Sequence, residues 1–104
     1  MPSAPGGTSR LPGYDLQEPS EADARAALER VFGPERAADR WSRACRAAGL
    51  LPGHVTTPAQ LGRAVAALAE QGGATAVVAR SVEIRMRTFA RLSASAAVAA
   101  GRQP

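Results

Sequence analysis

Glycine and proline cut the chain into four helix-sized lengths, and those cuts restrict the fold more than any other feature. Gly33-Pro34, the run from Gly49 to Pro58, and Gly72-Gly73 interrupt stretches that are otherwise rich in Ala, Leu and Arg. Gly suits the left-handed residue that closes a helix, and Pro suits the first position of the next, where no backbone donor is needed. Ser20 with Asp23 three residues later has the form of a capping box with Asp in place of Glu, and Glu21 and Asp23 both lie at the positive end of the helix dipole. Thr57 followed by Pro58 marks a third start. The spacing predicts helices over 20–32 and 34–48, a third from 58 to the Gly72-Gly73 pair, and a fourth over about 75–97. Links this short leave consecutive helices side by side and antiparallel. The expected fold is therefore all-α, a small antiparallel four-helix bundle. Only ATAVVA, residues 74–79, competes as a strand, and it leads straight into a helical pattern.

Helical periodicity assigns the inner faces. They are Ala24, Leu28, Val31 and Phe32 in the first helix, and Ala38, Trp41, Cys45 and Ala48 in the second. The third offers Leu61, Ala64, Val65 and Leu68, and the fourth Val78, Val82 and Phe89, widened by Met86, Leu92 and Ala96. Trp41 is the expected central aromatic, its indole N–H seeking a carbonyl or a loop partner. The apolar share of 45% overstates this core, because much of it is Ala, which favours helix but buries little area. A core this thin gains from a partner or a second copy, so self-association is an expectation.

At 104 residues the chain is one domain by length. The bundle is expected over 20–99. The Pro-, Gly- and Ser-rich stretch 1–19 reads as a disordered tail, with Tyr14 and Leu16 anchoring its end, and 100–104 reads as a disordered C-terminus. The N-terminus has no apolar leader and nothing approaches the roughly 20 apolar residues of a membrane span. Cys45 is the single cysteine, so no internal disulfide forms. A cytoplasmic protein without membrane contact is the expectation.

All thirteen basic residues are Arg, which with the excess of Ala and Gly reads as a compositional bias of the source genome. The distribution of charge says more than its total. Residues 1–52 hold seven Arg and seven acids, whereas 53–104 hold six Arg against Glu70 and Glu83, an excess of +4. Much of it falls in RSVEIRMRTFAR, residues 80–91. At about 100° per residue, Arg80, Arg87 and Arg91 lie within about 20° of one line, with Ile84 about 40° from Arg80 and the apolar side opposite. An apolar spot rimmed by Arg resembles an interface core with its polar rim. Arg85 points about 140° from Arg80, between Leu92 and Val78 on the inner side. It is expected to be structural, its stem covering apolar surface or its guanidinium pairing with Glu35 or Asp39.

Chemistry of other kinds finds little footing. His54 stands alone in a loop, and Cys45 is expected as a small core residue, so no catalytic residue and no metal ligand is assigned. Glu35 and Asp39, one turn apart, are flanked by Arg36, Arg40 and Arg43, which favours ion pairing, and Asp39 with Arg43 has the favourable spacing for it. No glycine pattern cradles a phosphate, and no cofactor is implied. The links do not fit a helix-turn-helix. The leading expectation is a non-enzymatic protein-interaction or regulatory module, contacting a protein or itself through Arg80, Ile84, Arg87 and Arg91, with Trp41, Arg85 and Phe89 structural. One alternative is a nucleic-acid-binding protein using the C-terminal Arg ridge. Another is a small enzyme or ligand carrier using Cys45 and His54.

Overall fold

The computed structural model describes residues 17–101, and its secondary structure is four α-helices. They are α1 (Glu21–Phe32), α2 (Pro34–Ala47), α3 (Pro58–Ala69) and α4 (Gly73–Gly101). Each helix packs on the next along the chain, and α1 also meets α4, which closes the bundle. Tyr14 and Leu16 lie outside the described residues, as do 102–104. The fourth helix starts two residues earlier than expected and continues through Gly101, past the boundary drawn at 99.

The punctuation works as local chemistry requires. Ser20 caps α1: its N–H donates to Asp23 Oδ2 at 2.9 Å, and the Asp23 N–H returns to Ser20 Oγ at 3.4 Å. Thr57 and Gln60 repeat the device at α3, with 3.2 Å and 3.1 Å between the same pairs of groups. Only the Thr57 half of this second box is expected from Thr57-Pro58, and Gln60 completes it. Gly33 alone separates α1 from α2. Its φ of 81° is open to glycine at little cost, and its N–H still donates to Glu29 O at 2.9 Å. At the far end of α2, the N–H groups of Gly49 and Leu50 donate to the carbonyls of Arg46 and Cys45, a Schellman closure, and Leu50 packs on the core.

The core is small and alanine-rich. Trp41, Leu28, Leu68, Val65, Val82 and Cys45 are the largest fully buried side chains. Ala24, Ala27, Ala37, Ala44, Ala64 and Ala79 fill the space between them, so the helix backbones approach closely. The α3 face is as expected. The α2 face is turned: Ala37 and Ala44 are buried, Ala38 is exposed and Ala48 half-buried. Both phases satisfy helical spacing around Trp41 and Cys45, and hydropathy cannot choose when Ala occupies both. In α1, Ala27 replaces Val31 in the core, leaving Val31 55% exposed.

Candidate interaction surface

The inner side of α4 changes along its length. Thr75, Val78, Ala79 and Val82 are buried against the bundle, whereas Met86 and Phe89 are half-buried. These last two line a cleft with Pro58 and Leu61 at the start of α3 and with Glu18 and Pro19. Because α3 begins there and runs antiparallel to α4, the helix beyond Ser93 extends past its neighbour. Phe89 is thus a wall of the cleft rather than part of the central core.

Arg85 corrects an expectation. It is exposed, not set into the inner face, and the ion pair found among the described residues, Arg43 with Asp39, does not involve it. Helical spacing alone sets it between Leu92 and Val78, on the inner side. Arg85 lies about 80° around α4 from the line of Thr75, Val82 and Met86 that meets the bundle, and that flank reaches solvent. Nor is Asp39 its partner: Arg43 Nε lies 3.3 Å from Asp39 Oδ2 on the surface of α2, a pairing that contributes little to stability where both side chains are solvated.

The outer side of α4 carries Arg80, Ile84, Arg87 and Arg91, all exposed. Two residues passed over in the sequence join them. Val77 is 69% and Val98 55% exposed, against 52% for Ile84. Val77 and Val98 stand seven residues before and fourteen after Ile84, so all three share one side of the helix. Among the described residues, five large apolar side chains are exposed, the others being Val31 and Leu51, and three of the five lie on this face. The signal was the seven-residue spacing. It was missed because Val77 abuts the buried Val78 and Val98 sits in a run of small residues.

Trp41 is the expected core aromatic, 1% exposed. Its acceptor is a side chain, not a carbonyl: Nε1–H donates to Glu21 Oε2 at 2.7 Å. The same carboxylate receives the N–H of Gly53 at 2.7 Å and, through Oε1, that of Val55 at 3.3 Å. Glu21 therefore joins α1, α2 and the loop before α3. Its sequence signal was its position seven residues before Leu28, which puts a carboxylate on the buried line.

Arg40, expected with Arg36 and Arg43 to pair with Glu35 and Asp39, is instead taken up by packing. Its guanidinium stacks on the Phe32 ring, 4.1 Å from the centroid, and Nε–H donates to Thr75 Oγ1 at 3.1 Å. Its carbonyl accepts from Gln71 Nε2 at 2.9 Å.

Cys45 is fully buried. Burial, then the Glu21 charge, push its thiol up to about 11, partly offset by Arg25. A thiol held neutral in this way is a poor nucleophile. His54 lies on the exposed loop. Among the described residues, no three His, Cys, Asp or Glu side chains group to hold a metal ion, and no helix is long and apolar enough to cross a membrane. Comparisons with protein-family models, curated proteins and solved structures gave no match.

Proposed function

We propose that this chain is a non-enzymatic, cytoplasmic interaction module that binds a protein through the outer face of α4, with Arg80, Ile84, Arg87 and Arg91 carrying the contact. The observation that supports this reading most is the alignment of exposed Val77, Ile84 and Val98 with Arg80, Arg87 and Arg91 along the side of α4 turned away from the core. Single exposed apolar residues are ordinary on any surface, but an aligned set rimmed by charge has the composition of a contact patch. The buried, neutral thiol of Cys45 favours a binding role over nucleophilic chemistry with His54. A single buried free cysteine suits a reducing compartment.

The test compares proteins retained from the source lysate by the wild type and by the triple variant Arg80→Glu, Arg87→Glu, Arg91→Glu. These positions are exposed, so the variant is expected to fold, as circular dichroism would verify. Loss of specific proteins from the variant supports the reading, and an identical set on both contradicts it. A second reading, sequence-independent nucleic-acid binding, draws on the same arginines. Its mark is a duplex affinity that falls steeply with salt. No binding at low salt would dispose of it.

A further inference from the structure

The seven-residue repeat along the outer face of α4 bears on what the partner is. Val77, Ile84, Arg91 and Val98 follow one another at intervals of seven, each about 10 Å further along the axis and turned by only about 20°. They make a nearly straight line of about 32 Å. Arg80 and Arg87 repeat at the same interval beside it. A line of this length matches the side of another helix lying along α4, with one apolar row and, in the companion row where a coiled coil would repeat apolar residues, Arg80 and Arg87.

Resting on the reading of this face as the contact surface, we propose that the partner is an acidic amphipathic helix. It presents apolar side chains to Val77, Ile84 and Val98, and carboxylates to the three arginines. Charge complementarity selects it. From Gly73 to Gly101 the helix holds four Arg and one acid, Glu83, an excess of +3, and Glu83 lies about 100° around the axis from Ile84. The contact line itself contains no carboxylate, so the partner must supply them. A second copy of this face would set arginine against arginine, which disfavours pairing with itself. A phosphate backbone would satisfy the arginines and leave the three apolar side chains without a partner.

Arg91 gives the seam its register. It occupies the line itself, between Ile84 and Val98. A single polar residue at a seam position fixes register in coiled coils, because only one alignment supplies its counterpart. The partner helix therefore carries a carboxylate within its apolar line, opposite Arg91.

A fluorescent synthetic helix of about four heptads tests this, with Leu along its seam, Glu opposite Arg91 and Glu beside Arg80 and Arg87. Its binding to the whole chain is followed by anisotropy. The acidic probe is expected to bind, at least about tenfold more tightly than a probe with Lys at each Glu position. Ile84→Asp should weaken it by about tenfold or more, and Arg91→Glu should transfer preference to a probe with Lys at that one position. Equal binding of acidic and basic probes, or binding indifferent to Arg91→Glu, would overturn the proposal. If no probe binds but the triple variant still loses its lysate proteins, the face remains a contact surface and the acidic helix is overturned. If those proteins are also unchanged, both readings fall. Duplex DNA binding through the three arginines, without probe binding, would replace the partner with nucleic acid.

Discussion

Glu21 accepts hydrogen bonds from Trp41, Gly53 and Val55, donors that are far from it in sequence. Without its carboxylate, the buried indole N–H has no acceptor and the loop before α3 loses its anchor. Glu21→Ala is expected to cost about 3 kcal/mol in urea unfolding, since hydrogen bonds to a charged group contribute about 1.5–3 kcal/mol each and an unsatisfied buried donor adds its own penalty. Glu21→Gln keeps acceptor oxygen but no charge, and should cost about half as much. Cys45, close to this carboxylate, has its own signature. Burial keeps its thiol protonated to about 11, against an ordinary value of 9.0. The unfolded chain releases that proton above pH 9, whereas the folded chain retains it. Stability from this source is therefore complete below pH 9 and declines as pH rises through about 11. Cys45→Ala should flatten that decline, and a thiol reagent at neutral pH should react with the wild type only through unfolding. Glu21 lies in the first turn of α1 as expected, but its role as acceptor, like the packing of Arg40, was not visible in the sequence. A charged residue on a buried line looks like an ordinary helix-surface charge until its donors, here 20 to 34 residues away, are known to converge on it.

At the level of helices, the sequence was most legible where backbone chemistry is local. Ser20, Gly33-Pro34, Gly49 and Thr57-Pro58 set ends that require nothing from the rest of the chain. The inner face of α3 followed because Leu61, Val65 and Leu68 differ clearly from their neighbours. Faces built of alanine were harder: Ala38 and Ala37 are chemically the same, and only packing against α1 and α3 chooses between them. Arg85 was misplaced for a related reason, since periodicity gives a direction around α4 but not how wide a sector of it the neighbouring helices cover. The α1–α2 corner makes a sharp test of the local argument. Gly33 holds φ at 81° with ψ at 165°, a region almost reserved for glycine that costs a residue with a Cβ about 1–3 kcal/mol. Nothing crowds the place of that Cβ. Gly33→Ala should therefore lower stability by about 1 kcal/mol through the backbone alone, read as a lower denaturation midpoint with an unchanged urea slope.

Across the whole molecule, α4 serves two sides at once. With 29 residues it is about 43 Å long, whereas α3, its principal neighbour, has 12 and spans about 18 Å. Val78 and Val82 hold the bundle, and Val77 and Ile84, on the opposite side, are free of it. The arginine ridge was readable from spacing alone because three arginines at helical intervals, Arg80, Arg87 and Arg91, define a line with Ile84 beside it. Its extension to Val77 and Val98 became visible only when the exposed and buried valines were told apart. If the outer face is a contact surface, stability and binding divide between the two sides: Ile84→Asp should alter stability by no more than about 0.5 kcal/mol, and Val82→Ala should lower it by about 2 kcal/mol. Methyl NMR of the isotopically labelled chain, titrated with the acidic helix, tests the central proposal most directly. The expected result is chemical-shift change at Val77, Ile84 and Val98 with Val78 and Val82 nearly unmoved. Changes centred on Val78 and Val82, or none at any of the five, would contradict it.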